Sequence, residues 1–435
     1  MKIETMPTPN ALTDPACRLC GGKALRSVLD LGATPPCESF LTLQQLEEPE
    51  PTYPLHLRLC EECLLLQIPA LITPDETFTD YAYFSSYSDS WVEHARTFAR
   101  DATARLALTA DSFVVEVASN DGYLLQHFLG SVPCLGIEPS VNVGAAARER
   151  GVPTRTDFLN EQVAEQVRAE HGSADLVIAN NVYAHIPDLL GFTQALRELV
   201  ADDGMVSIEV HHALNLVQHA QFDTIYHEHF QYYTLLSATR ALATAGLQVV
   251  DAELIATHGG SLRVWAQPES ATSDRRPSAQ VQDILDLEAE AGLHSIEGYD
   301  TLAGRSAAVR ANLLRFLLDA ARDGLRVAGY GAPGKGNTLL NYCGIRPDLL
   351  AYTVDRNPYK HGRFTPGTRI PIHPPEFLDT DRPDLVLVLP WNLRTELTGA
   401  LRHIEAWGGK LVFALPEIAV VDPAAETHQM EGVDA

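Results

Sequence analysis

The sequence predicts an α/β protein: a small N-terminal four-cysteine module followed by two Rossmann-like α/β units. Three observations carry this. Four cysteines form two close pairs, Cys17-x-x-Cys20 and Cys60-x-x-Cys63. Short apolar runs then alternate with helical stretches, the pattern of a parallel, doubly wound sheet. That alternation occurs twice, and in each unit a strand runs into a glycine-containing turn. A chain of 435 residues suggests about three domains, each large enough to bury a core of its own.

Residues 1–75 make up the first module, rich in Pro, Cys and Leu and poor in helical periodicity. With 39 residues between Cys20 and Cys60, two knuckle-like thiolate pairs can converge on tetrahedral zinc and staple a core too small to hold alone. A redox pair or unligated thiols are the alternatives. Four thiolates leave no open coordination position, so such a zinc is structural. Cys37, Cys134 and Cys343 read as inert core or loop thiols.

Residues 76–270 form the second unit. An aromatic segment, FTDYAYFSSYSDSW, precedes strands expected at 113–117, 134–138, 175–179, 205–209 and 261–266. Helical patterns fall near 121–129, 141–150, 160–170 and 190–200. The third unit, 271–420, begins with a long helical stretch at 276–323, then strands at 326–330, 350–354, 385–389 and near 410. The tail, 421–435, is expected to be disordered.

The net charge of −25 argues against broad nucleic-acid binding, which needs a basic surface to displace counterions. It still admits one anionic ligand in a local basic pocket. No apolar run is long enough to span a bilayer, and MKIETMPTPN lacks the regions of a signal peptide. A cytoplasmic monomer is the expectation.

Two turns draw the eye as ligand loops. In VVEVASNDGYLL (114–125), Glu116 stands on the strand, Asn120 in the turn and Gly122 at its exit. The next strand ends in Glu138, placed to accept both hydroxyls of a ribose. Asp157 and Asn180 lie where the following strands reach the same edge. This succession resembles a class I S-adenosylmethionine-dependent methyltransferase. Such loops commonly read E-x-G-x-x-x-G, whereas Ala118 occupies the first glycine position here, predicting a slight loss of backbone freedom. The second turn, Gly329, Gly331 and Gly334 with Asp355 about twenty residues on, is formally the better dinucleotide fingerprint. Lys335 and Gly336 extend it into a form suited to a sugar-linked phosphate, so a phosphate or structural role is preferred to NAD.

CRLCGG, CEECLLLQ, YAYFSSYSDSW, EVASNDGYLL, FDTIYHEHF, THGGSLRVW and GYGAPGKGNTLLNYCGI follow one another in that order. Together they resemble the C-methyltransferases of deoxysugar biosynthesis, the nucleotide-sugar C-3′-methyltransferases in particular, over about residues 15–420. The resemblance implies a zinc module, a methyltransferase domain, a related C-terminal domain, and a monomer acting on a dTDP-linked 4-keto-6-deoxysugar. It also implies His229 as the base, with Tyr226 and Glu228 beside it, and His185 and Tyr83 bordering the sugar. Lys335 would serve the substrate as well.

The segment Tyr226-His227-Glu228-His229 suits that chemistry. Methylating carbon requires a carbanion, and a C–H beside a ketone is where a base can make one. A zinc hydrolase would want H-E-x-x-H on a helix; His227 and His229 are two apart, so only an extended segment would align them. A base with its supports is preferred to a metal site or a structural polar strand. On this reading Glu228 orients or tunes His229, Tyr226 hydrogen-bonds the substrate, and His227 is structural. An O- or N-methyltransferase, an NAD-dependent sugar-modifying enzyme and a non-catalytic zinc-dependent binding protein are the competing classes.

Overall fold

A computed structural model describes residues 16–73, 84–272 and 275–423. Tyr83, all but the first three residues of the expected tail, and much of the aromatic segment lie outside them.

The N-terminal sheet is antiparallel. Strands β1 (Leu25–Thr34), β2 (Tyr53–Cys60) and β3 (Leu66–Gln67) are joined by β9 (Gln231–Tyr232), which arrives from far along the chain. Leu66 pairs with Tyr232 and Gln67 with Gln231. The cysteine module is therefore completed by a strand two residues past the Y-H-E-H segment, a pairing beyond the reach of local sequence pattern.

The central sheet has seven strands in the order β10-β11-β8-β7-β4-β5-β6. β4 (Val114–Val117), β5 (Cys134–Ile137), β6 (Thr154–Arg155), β7 (Ala174–Asn180) and β8 (Val200–His211) are parallel. β10 (Leu247–Ile255) and β11 (Ser261–Pro268) close that edge, with β11 antiparallel to both β8 and β10. Every residue of β4 and β5 is buried, as expected of strands covered on both faces. The C-terminal sheet, β14-β13-β12-β15-β16-β17, repeats the plan with β12 (Val327–Tyr330), β13 (Thr353–Val354), β14 (Ile372–His373), β15 (Leu385–Val388), β16 (Lys410–Phe413) and an antiparallel β17 (Ala419–Val421). In both sheets the chain leaves the first strand where strand order reverses, the place where such folds bind ligands.

Two expected helices differ. Instead of a helix at 121–129 there is one short 3-10 turn, Leu125–His127. Tyr123, Leu124, Leu125 and Phe128 are all buried, and three successive buried side chains cannot share one helix face. The stretch at 276–323 is two helices, Ala279–Glu290 and Thr301–Arg322. Gly292 has φ +81° and a Cβ on Gly298 would lie 2.2 Å from the Gly292 carbonyl oxygen, so the turn between them closes on bare backbone. The apolar faces of β1 and β2, including Leu55, Leu57 and Leu59, share a core with Leu339, Leu340 and Leu387 of the C-terminal unit.

Candidate functional site

The four module cysteines converge. Their sulfur atoms all lie within 4.8 Å of one another, with Cys17–Cys63 at 3.4 Å and Cys20–Cys60 at 3.5 Å. Tetrahedral Zn–S bonds of about 2.3 Å place sulfurs roughly 3.8 Å apart, so the thiolate set fits a structural zinc. Each knuckle turns on a left-handed residue four positions after its first cysteine, Gly21 (φ +74°) and Leu64 (φ +60°). The second carries a strain of about 1–2 kcal/mol that glycine would avoid. Arg240 donates to the Cys63 carbonyl and Arg18 to those of Ile68 and Phe230, tying the module to the central unit.

The carboxyl edges of the central and C-terminal sheets face one cleft of about 1670 Å³. On its central side lie Asn120, Glu138, Asp157 and Asn180. The loop is strained: Ala118 has φ +53° and Asn120 φ +50°. The alanine thus sits in a left-handed conformation costing about 1–2 kcal/mol, more than the slight loss expected. Glu138 accepts from the Asn120 amide at 2.9 Å and the Ser140 amide at 2.8 Å. These two bonds, one on each oxygen, fix the carboxyl at the edge of the cleft. Asn180 accepts from Ser207 Oγ at 3.2 Å, and Asp157 is held by Arg155.

Glu116 and Gly122 are not among the residues lining the cleft. Glu116 is 1% exposed beneath the loop, its carboxyl pushed well above the usual range by burial and by Glu138. A Cβ on Gly122 would meet Val152 at 2.8 Å, so this glycine serves packing. Asn181, which the sequence reading passed over, lines the cleft at φ +58°. The Asn-Asn doublet at a strand end was its only signal. From above, Ser85 donates its amide to Asn120 Oδ1 at 2.9 Å, and Ser86 Oγ meets Asp121 Oδ2 at 2.5 Å.

Tyr226 to His229 form a tight turn, not an extended segment: the His229 amide donates to the Tyr226 carbonyl at 2.9 Å. The two imidazoles consequently part. His227 Nε2 donates to the Tyr53 carbonyl at 3.1 Å. His229 lines the cleft with Nδ1 3.1 Å from the Thr224 carbonyl oxygen. A carbonyl only accepts, so Nδ1 carries the proton and Nε2 keeps its lone pair. The His185 ring stands edge-on to His229 at 4.6 Å and the Tyr226 ring lies 4.0 Å away. Burial lowers the His185 pKa to about 4, which keeps that imidazole neutral.

Glu228 reaches towards the N-terminal module, with Oε1 3.9 Å from Cys37 Sγ. Burial and the nearby Glu38 push its carboxyl up to about 8, so it is protonated at neutral pH. The Thr224 carbonyl, which no motif announces, takes the orienting contact at Nδ1 that had been expected of Glu228.

On the C-terminal side the glycine loop runs straight into the helix Gly334–Cys343. Asp355 spends one oxygen on the Ala332 amide (2.6 Å) and the other on the Asn357 amide (2.8 Å). Lys335 lines the cleft and donates to Asn392 Oδ1 at 2.9 Å. Lys360 bridges the Ala332 carbonyl and Glu38, so Cys37 and Glu38 wedge the first module between the glycine loop and the Tyr226–His229 turn. Among the described residues no helix is long and apolar enough to cross a membrane.

Comparison with known proteins agrees with this layout. Residues 17–78 match a family described as "Putative zinc binding domain", 91–252 a "Methyltransferase domain", and 256–416 a "C-methyltransferase C-terminal domain". The chain is 34% identical over 406 residues to the C-methyltransferase NovU of Streptomyces niveus, covering 93% of this chain and 96% of that one. Among solved structures, the SAM-bound magnesium protoporphyrin IX methyltransferase of Synechocystis PCC 6803 overlaps 41% of this chain and 82% of its own, at 14% identity and a TM-score of 0.31. The complex of DhpI with SAH overlaps 42% and 90%, at 21% identity and a TM-score of 0.29. No argument rests on overlaps that loose. The three matched domains and the full-length likeness to NovU establish that the chain belongs to the zinc-module C-methyltransferase family.

Proposed function

We propose that this C-methyltransferase methylates C3 of a nucleotide-linked, dTDP-type 4-keto-6-deoxysugar. One observation carries the reading: the His229 turn stands in a single cleft between the acid-lined loop of the central sheet and the lysine-bearing glycine loop of the C-terminal sheet. S-adenosylmethionine supplies an electrophilic methyl group when bound. Glu138, at the end of β5, would accept its ribose hydroxyls, with Asn120, Asp157 and Asn180 around it.

Nε2 of His229, the nitrogen opposite the one that faces the Thr224 carbonyl, takes the C3 proton, and the electron pair passes into the C4 carbonyl as an enolate. The neutral His185 imidazole, the Tyr226 hydroxyl and the protonated Glu228 carboxyl are candidate donors to that oxygen. Such donors are worth about 10²–10³ in rate apiece. Carbon–carbon bond formation would re-form the C4 carbonyl, with the methyl–sulfur bond of the donor breaking and its thioether leaving. At the far end, Lys335 and the amides of the helix Gly334–Cys343 suit a diphosphate, which explains how so acidic a chain admits an anion.

The test is incubation with methyl-labelled S-adenosylmethionine and a panel of dTDP-4-keto-6-deoxysugars, followed by locating the label. One methyl on C3 is the expected product. The C5 proton flanks the same carbonyl, so label on C5 would move the reaction to the other neighbour. Label on oxygen or nitrogen would overturn the enolate mechanism.

A further inference from the structure

The strip Phe222–Ile225, immediately before the catalytic turn, is gripped by the C-terminal unit at several points. Trp391 Nε1 donates to Asp223 Oδ2 at 2.6 Å. Thr338 Oγ1, on the helix that follows the glycine loop, donates to the Ile225 carbonyl at 3.1 Å. The Phe222 ring meets Tyr342 edge-on at 5.0 Å. Between these anchors Thr224 offers the carbonyl that holds Nδ1 of His229.

Asp223 is 0% exposed, and its Oδ1 has no hydrogen-bond partner among the described residues. A buried carboxyl with one oxygen unsatisfied is costly. Burial raises its pKa to about 6, against the opposing charge of Lys335. The Lys335 ammonium in turn lies 5.1 Å from the centre of the Trp391 ring. The cation whose charge acts on this carboxyl is thus one that also lines the cleft.

We infer that Asp223 and Trp391 are positioning residues for His229, and that Lys335 links their grip to the anion seated on the glycine loop. This rests on the proposed reading of His229 as the base. Trp391 fixes Asp223, Asp223 fixes the 3-10 turn Phe222–Thr224, and that turn fixes the carbonyl that selects the Nε2-basic tautomer. An anion on Lys335 would alter the balance of charge around Asp223, so occupancy of the loop is felt at the base. The glycine loop then does more than bind the substrate's leaving end: it reports its presence to the reacting end.

The test uses Trp391→Phe and Asp223→Asn in the full chain, with Thr338→Val as a milder variant should either fail to fold. Two rates are measured: methyl transfer, and exchange of the C3 proton into D2O without the methyl donor. Trp391→Phe is expected to lower both by roughly 10–100-fold in kcat, with KM for the sugar within about threefold and donor-binding stoichiometry unchanged. A purely structural role would reduce the folded, donor-binding fraction and leave kcat per folded molecule intact. That result would overturn the positioning role. A 4-keto sugar lacking the diphosphate probes the link. Wild type should turn it over with reduced kcat even at saturation, as expected when remote binding energy serves the reacting centre, and Trp391→Phe should show no further reduction. Equal losses in both proteins would overturn the coupling. Absence of exchange and transfer in the wild type with every keto-sugar would instead sink the functional reading itself, so the two failures are told apart.

Discussion

The two glycine loops of this chain occupy equivalent places in two similar sheets, and they invert what their sequences advertise. The C-terminal loop has the better dinucleotide fingerprint, yet the acids do not separate the two: Asp355 and Glu138 each take a backbone amide on both carboxyl oxygens. What it presents to the cleft is a helix start and the cation Lys335. The central loop lacks the first glycine and holds Ala118 and Asn120 at positive φ, and Asn120 lines the cleft together with Glu138, Asp157 and Asn180 from the following strands. Spacing of glycines records the turn. What sets the loops apart is charge, since Lys335 stands at one and Glu138 beside the other.

That contrast can be broken experimentally. The largest effect is expected where the two loops meet, at the base: His229→Asn should lower kcat by about 10²–10⁴ while leaving donor affinity intact, as read by steady-state rates and calorimetric titration. Next comes a double dissociation between the loops. Lys335→Met should raise the sugar KM by about 10–100-fold, the loss of a charge-assisted contact of about 1.5–3 kcal/mol, with donor affinity unchanged. Glu138→Gln should weaken donor binding by about tenfold and spare the sugar. If both substitutions weakened the same ligand, the division of labour would be wrong.

Glu228 sharpens the comparison from a third side, because it is a buried acid that neither loop neutralises. Its folded pKa, about 8, lies above the unfolded value near 4.3. The folded state therefore binds more protons between those values. This contribution to stability is fully present below about pH 4.3 and is lost as pH rises through 8. Wild type should lose thermal stability from pH 5 to 8, and Glu228→Gln should flatten that fall. The smallest effect belongs to Ala118→Gly, which relieves the left-handed alanine and should raise stability by up to about 1 kcal/mol in denaturant unfolding.

Much of this was legible in the sequence because it is local. Paired cysteines, buried β-runs such as Val114–Val117, and helices with one apolar face all announce themselves within a few residues. The failures have physical causes of another kind. The segment 121–129 looked helical because its apolar residues are dense, but burying Tyr123, Leu124 and Leu125 in succession requires an irregular wrap. In the Y-H-E-H segment the spacing shows only that an extended backbone would be needed to align the two histidines; the hydrogen bond that folds it into a turn and parts them leaves no mark in the sequence. Thr224, Asp223 and Asn181 gave no usable signal: one acts through its carbonyl, one through partners about 168 residues away in sequence (Trp391), one through a strained backbone. Glu116 and Gly122 did match a motif, but the motif records loop construction as well as ligand contact, and these two serve construction.

The Tyr226–His229 turn is flanked on one side by β9, which pairs with the cysteine module, and on the other by a strip held from the C-terminal helix. Its geometry is therefore assembled from contacts of very long sequence separation, such as Arg18 with Phe230 across 212 residues and Asp223 with Trp391. Closing such loops costs entropy before any contact repays it. The turn should be among the last regions to become native during folding. A chain with only two of its three units docked would hold both glycine loops with the His229 turn unorganised, so on the proposed reading partial assembly yields a binder that cannot react.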